Sequence, residues 1–253
     1  MQPISVLITT HNEADNIRGV LESVQWADEV MVVDSFSTDE TVALASTYTD
    51  KVLQRAYKGP ADQKNWAIPQ LSHEWVLILD ADERVRPELK AEIQYWLQQE
   101  DIPFDAFWIN RQNHFMGQQV RYSGWQGDAV VRFFRRDKGR YDAKQVHEEI
   151  VTDGIRVSRL KTKMDHYTFK DINHFLDKMR RYAEWSARDH QARTPHVGWF
   201  HLWIKPAFRF FKHFVLQRGF LDGKVGFVVS VIMAWGVFLR YVKMMEKERG
   251  RIS

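Results

Sequence analysis

Asp80 and Asp82 stand one residue apart, with Glu83 beside them, directly after the apolar run Val76-Leu77-Ile78-Leu79. Three carboxylates at the end of a run that reads as interior need a counter-charge. Helix capping is a poor account of them, since a cap needs one short polar side chain. Hard oxygen ligands whose shell is completed by a substrate phosphate describe a Mg2+ or Mn2+ site. The chain has no cysteine, so any metal must be held by oxygen or imidazole. Two further polar clusters end apolar runs: Thr9-Thr10-His11-Asn12-Glu13, and Asp34-Ser35-Phe36-Ser37-Thr38-Asp39. Within them Asn12, Ser37, Thr38 and Asp39 read first as helix caps.

The elements that must position these groups follow from periodicity. Short β-branched runs at 4–9, 29–34, 51–55 and 75–79 read as strands, and helical segments alternate with them. Asn12-Glu13-Ala14-Asp15 opens a helix with Ile17, Val20, Leu21 and Val24 on one face, and Ser37-Thr38-Asp39-Glu40 opens another. The order β-α-β-α-β-α-β predicts an α/β fold around a mostly parallel, Rossmann-like sheet. Ligands of such sheets bind outside the carboxyl ends of the strands. The three polar clusters therefore form one rim.

From residue 170 onward Ile172, Phe175, Met179, Tyr182 and Trp185 recur at helical spacing. We expect two segments: 1–165, carrying the rim, and 166–253, helical, basic and aromatic. The chain is 253 residues long and holds ten Trp and sixteen Phe. Its net charge of +3 hides an asymmetry, because residues 195–253 hold ten Lys/Arg against three Asp/Glu, leaving 26 against 30 for the rest. In 199–215 the bases alternate with large apolar side chains, a pattern that suits an anionic membrane surface. The longest uncharged run, Val225 to Leu239, is fifteen residues, short of the roughly 20 that cross a hydrocarbon core. It is expected to lie on a membrane or in a core. Nucleic acid is not expected as a partner, since Lys and Arg are dispersed among Phe and Val. No secretory signal is read at Met1, so the chain is expected in the cytoplasm, peripheral on the inner face of a bacterial inner membrane.

The stretches ISVLITTHNE, VVDSFSTDET and LILDADE, in this order and at these distances, resemble the nucleotide-sugar domain of family-two glycosyltransferases of GT-A fold over roughly residues 3 to 150. The chain is most similar to bacterial enzymes that add glucose to the first heptose of the lipopolysaccharide inner core. The resemblance implies an inverting, metal-dependent transfer from a UDP-sugar donor to a lipid A-linked core oligosaccharide. By the same resemblance Asp82 ligates the metal, Asp80 contacts the ribose or the metal shell, and Asp34 hydrogen-bonds the uracil. Thr9, His11 and Glu13 line the nucleoside pocket. Ser35 and Phe36 stand where the family commonly has a second Asp and a Gly. Lys64, followed by Asn65, occupies the place of a basic residue on the helix before the metal strand; the alternative is a solvated helix face.

A sugar hydroxyl is a poor nucleophile and needs a base. The cluster Val146-His147-Glu148 resembles the element carrying that base in this subgroup, which implies Glu148 as base; Glu149 is the adjacent alternative, and His147 is a candidate for the metal shell or the diphosphate site against a hydrogen-bonded structural role. Asp128 is expected in the acceptor pocket or in an ion pair with Arg132. Lys178 and Arg181 have a faint likeness to an acceptor-end element of processive family members, against a solvated basic face. Two rival classes remain: a nucleotidyltransferase, whose Gly-rich basic loop is missing from 9–13, and a non-catalytic membrane adaptor, against which the intact acidic clusters speak.

Overall fold

The computed structural model describes residues 1–142, 150–169, 171–191, 194 and 196–249. They divide into two compact units, Met1–Arg111 with Asp128–His166, and Gln112–Gly127 with Tyr167–Ser253.

In the first unit β1 (Ile4–Thr10), β2 (Glu29–Asp34), β3 (Val52–Gln54) and β4 (Trp75–Asp80) run parallel in the order β3-β2-β1-β4. The links are α1 (Ala14–Val24), α2 (Thr41–Ala45) and α3 (Pro60–Ala67). After them come β5 (Glu83–Arg84), α4 (Pro87–Leu97), β6 (Ala106–Phe115), whose last residues belong with β7 (Gln118–Gln119) to the second unit, then β8 (Ala129–Arg135) and β9 (Val157–His166). The sheet continues from β4 through β8, β6, β9 and β5, with β8 antiparallel to β4 and β5 antiparallel to β9. The fold is thus α/β with a parallel core, as the alternation of strands and helices predicts.

Val76-Leu77-Ile78-Leu79 is continuously apolar because both faces of the sheet are covered. Trp75, Leu77 and Leu79 join Ile17, Val20, Leu21, Leu89 and Ile93 in one cluster. Val76 and Ile78 join Leu7, Val33, Ala61 and Ile68 in the other. Each such fully buried side chain contributes about 2 kcal/mol by transfer from water. Of α1, Ile17, Val20, Leu21 and Val24 are the buried residues, the face its spacing predicts.

The expected caps are exchanged between loops. Asn12, in the left-handed region at φ 53°, donates its backbone N–H to Ser37 Oγ at 2.8 Å and accepts from Thr38 N at 2.8 Å. Asp39 accepts from Thr41 N at the start of α2 and from Ala14 N at the start of α1. These side chains therefore tie two strand ends together, where the sequence alone predicts each capping its own helix.

In the second unit α5 (Ile172–His190) opens on Asp171, which accepts from His174 N at 2.8 Å. Its buried positions are Phe175, Met179, Ala183 and Ala187; the predicted Ile172 and Trp185 are exposed. Residues 200–216 form a continuous helical segment in which α6 (Lys205–Phe211) lies between two π-helical stretches, Phe200–Ile204 and Lys212–Leu216. A short 3-10 turn leads to α7 (Gly223–Arg249). Residues 112–127, which the sequence reading assigns to the first segment, group here because Asp222 accepts from Arg121 N, Tyr122 N and Ser123 Oγ at 2.8–2.9 Å.

Gly219–Glu248 is long and apolar enough to cross a membrane by length and composition. The uncharged run Val225 to Leu239 is the middle of this longer helix. α7 nevertheless packs on α5: Met179 lies against Gly236, and Arg240 donates to Ser186 Oγ at 3.2 Å. The other side of α5 exposes Asp177, Arg180, Arg181, Arg188 and Asp189.

Candidate active site

The register of the parallel strands assembles the rim, because Thr10 pairs with Asp34 and Thr9 with Asp80, so β1, β2 and β4 end side by side. At the end of β4 Asp80 is held by three groups. Thr9 Oγ1 donates to Oδ1 at 3.1 Å, Lys64 Nζ lies 3.2 Å from Oδ1, and Arg132 Nη2 bonds Oδ2. Lys64 is only 2% exposed, so the solvated-face alternative is excluded. Glu83, fully buried, accepts from Asp80 N at 2.9 Å and lies 3.3 Å from Arg132 Nη2 and 3.4 Å from Arg111 Nη1. Arg111 in turn grips Asp128 with two bonds, Nη2 to Oδ1 at 2.6 Å and Nε to Oδ2 at 3.0 Å. Asp128 therefore pairs with Arg111, correcting the expected partner Arg132, because Arg111 on β6 lies across from Asp128 just before β8 and Arg132 is engaged by β4.

Among the described residues three cations and three carboxylates thus balance. Burial pushes the Asp80 carboxyl up, but Arg132 and Lys64 outweigh it and hold the group far below the usual carboxylate range. Burial likewise works against the charge on Arg132, and Asp80 and Glu83 raise its pKa well above the ordinary value. Both Asp80 oxygens already face cations, Oδ1 towards Lys64 and Oδ2 towards Arg132.

Asp82 turns to His166, whose Nε2 is 3.4 Å from Oδ2. The antiparallel register of β5 and β9, Glu83 with His166, brings them together. His166 is a site residue that sequence reasoning missed: it is separated from Asp82 by most of the first unit, and only the pairing of a two-residue strand reveals the contact. Among the described residues no group of three or more His, Asp or Glu converges on a point. An oxygen and an imidazole nitrogen at this separation fit two places in the shell of one divalent ion, whose small octahedral forms usually take one or two carboxylates plus substrate phosphates. Arg84 fixes the turn between them, donating to Ala81 O at 2.7 Å, Glu83 O at 2.8 Å and Asn16 O at 2.8 Å. It passes so close to α1 that a Cβ at Gly19 would lie 2.5 Å from its Nε.

Asp34 is fully buried, accepting from Ser37 N at 2.8 Å, from Ser37 Oγ, and from Gln54 Nε2 at 3.1 Å. Three of its roughly four acceptor sites are thereby used, one on Oδ1 and two on Oδ2. His11 is exposed beside Asn12, and Glu13 accepts from Asn16 Nδ2 at 2.8 Å. Phe36 stands at φ 59° and is 54% exposed. The left-handed backbone explains why glycine suits this position. His147, Glu148 and Glu149 lie outside the described residues. Lys178 and Arg181 sit on α5 in the second unit, Lys178 with Nζ 5.1 Å from the Phe169 ring centroid and Arg181 exposed.

Residues 5–163 match the family described as Glycosyl transferase family 2. The chain is 30% identical over 266 residues to an uncharacterized glycosyltransferase of Rickettsia felis, covering 97% of this chain and 90% of the relative. It is 27% identical over 251 residues to the lipopolysaccharide core biosynthesis glycosyltransferase LpsC of Rhizobium meliloti, covering 97% and 93%. Among solved structures it is similar in fold to the mannosyltransferase PcManGT of Pyrobaculum calidifontis in complex with GDP-Man and Mn2+, with TM-score 0.57, 17% identity, and 97% and 88% of the two chains covered.

Proposed function

Because this chain belongs to glycosyl transferase family 2, we propose that it is an inverting, metal-dependent transferase that moves glucose from UDP-glucose to a heptose of the lipopolysaccharide inner core. The observation that carries the reading is the pair Asp82 and His166 at the carboxyl end of β4, beside a cluster whose charges are otherwise balanced. Such a pair has room for the charge of a nucleoside diphosphate only through a cation. The Mn2+ and GDP-Man held by the mannosyltransferase of similar fold support a cation and a nucleotide sugar here. LpsC, by its name, supports the acceptor class.

Asp82 and His166 would hold Mg2+ or Mn2+, which when bound stabilises the negative charge developing on the departing diphosphate. Asp80, held by Lys64, Arg132 and Thr9, presents a fixed carboxylate edge to the donor ribose. Glu83 keeps the turn rigid by accepting from Asp80 N. A preorganised site of this kind needs no reorganisation as charge develops. Glu148 takes the acceptor proton as the new bond forms on the face opposite the leaving group, which inverts the anomeric centre. The reaction is placed at the cytoplasmic face of the inner membrane, with the acceptor carried on lipid A.

The test offers purified protein a panel of UDP-, GDP- and ADP-sugars with Mg2+ or Mn2+ and lipid-bearing core acceptors. Turnover of UDP-glucose, its loss in Asp82→Ala, and retained donor binding without transfer in Glu148→Gln are the expected results. Turnover of a different donor would redirect the substrate assignment, and no binding of any nucleotide sugar would end the reading.

A further inference from the structure

Residues 199–216 of the second unit are inside out. Exposed positions recur in pairs every four residues: Trp199 and Phe200, Trp203 and Ile204, Ala207 and Phe208, Phe211 and Lys212, Val215 and Leu216. Nine of these ten side chains are apolar, with Trp199 76% and Trp203 69% exposed. The positions turned inward include His201, Lys205, Arg209 and His213. Their polar atoms have partners within the unit: Lys205 Nζ donates to Tyr241 Oη at 2.9 Å, His213 Nδ1 bonds Ser123 O at 2.7 Å, and Arg209 Nη1 is 3.4 Å from His213 Nε2. A surface helix in water shows the opposite arrangement, with its apolar stripe against the core.

The backbone keeps this stripe straight. An α-helix makes 3.6 residues per turn, so a four-residue repeat drifts around it. The π-helical stretches at Phe200–Ile204 and Lys212–Leu216 close i to i+5 bonds and turn more slowly. Alternating the two brings the mean to about four residues per turn, and the repeat stays on one face. Beside the stripe the half-buried Phe210 and Phe214 pack on the next elements, against Phe227 at 5.7 and 5.8 Å, with Phe214 against Phe220 at 6.4 Å. Exposed Phe227, Val231 and Phe238 extend it along α7.

Charge selects the occupant. Residues 199–245 contain seven Lys/Arg and one acidic residue, Asp222, which is buried and engaged with the backbone of 121–122. Lys212, Arg218 and Lys224 are exposed along the apolar face. A second copy docked on the same face would bring like charges together across a two-fold axis. An anionic surface with an apolar interior complements both the cations and the rings, and Trp is favoured at that boundary. Spanning is disfavoured by α5, whose charged side would enter the hydrocarbon with α7. We infer that the exposed face of 199–216 and of α7 lies in the plane of an anionic phospholipid bilayer, with its aromatic rings at headgroup depth.

The test uses the full chain, with vesicles of phosphatidylcholine alone and of equal parts phosphatidylcholine and phosphatidylglycerol. Expected are co-sedimentation with the anionic vesicles, quenching of Trp fluorescence by brominated acyl chains, and release by alkaline carbonate. Lys212→Glu/Lys224→Glu is expected to weaken binding more than about tenfold, and Trp203→Ser/Phe208→Ser to weaken binding and reduce quenching, with far-ultraviolet circular dichroism unchanged in both. The wild-type quenching stands as evidence even if a variant fails to fold. Absence of binding to both vesicles would overturn the inference. So would a dimer that the Trp203→Ser/Phe208→Ser variant dissolves while vesicles are ignored, and so would resistance to carbonate, which would make α7 a spanning helix.

Discussion

Asp80 and Asp82 are separated by one residue, and the structure predicts unequal losses of stability for the same substitution. In Asp80→Asn, Lys64 loses the carboxylate at 3.2 Å while remaining buried, and Arg132 loses one of its two carboxylates, keeping Glu83 and Tyr141 Oη among the described residues. Removing one partner of a buried ion pair costs about 3–5 kcal/mol. Because the Asp80 side chain is 35% exposed, we take the lower end, about 3 kcal/mol. For a chain of this size that lowers the midpoint of thermal unfolding by about 6–12 °C. Asp82→Asn weakens a partly exposed contact with His166 and is expected to cost about 1 kcal/mol or less. The assay is thermal unfolding by circular dichroism, without metal, on wild type and both variants. If Asp80→Asn is as stable as wild type, Asp80 does not neutralise Lys64 and the balanced cluster is not what organises the strand end.

Glu29 makes the second prediction: burial pushes its carboxyl up, but hydrogen bonds from Lys51, Ser5 and Ser72 bring it down, from 4.5 to about 2. A depressed folded-state value means stability that is complete above the unfolded pKa and is lost as pH falls from 4.5 towards 2, worth about 3 kcal/mol. Urea titrations across that window are expected to show the slope in wild type and a flatter profile in Glu29→Gln; equal slopes would contradict it. The third concerns Phe36, whose left-handed backbone costs roughly 1–2 kcal/mol in a non-glycine residue. Phe36→Gly is therefore expected to leave stability unchanged or raise it by up to about 1 kcal/mol after the entropic cost of glycine, measurable as a shift in urea midpoint, and a loss of stability would show that the exposed ring contributes packing.

What could be read in the sequence was what repeats locally. Val76-Leu77-Ile78-Leu79 declared a strand covered on both faces, and parallel order then required the ends at Thr10, Asp34 and Asp80 to share a rim. Long-range pairings were not legible. Arg111 could not be matched to Asp128, nor His166 to Asp82, because each depends on antiparallel registers set by short or irregular strands. The side chains at 12, 37 and 39 were recognisable as loop-fixing but not as bridging two loops, since a cap motif is local and its exchange is tertiary. In the tail, composition revealed bases among aromatics, but which face each occupies depended on π-helical stretches that have no sequence signature.

The most direct measurement is Mn2+ binding, followed by electron paramagnetic resonance of the free ion, with UDP present, in wild type, Asp82→Asn and His166→Gln. Wild type is expected to take up one Mn2+ per chain, either substitution to weaken uptake by more than about tenfold, and Asp80→Asn, measured well below its unfolding midpoint, to retain it. Undiminished uptake in Asp82→Asn and His166→Gln would show that this pair does not hold the cation.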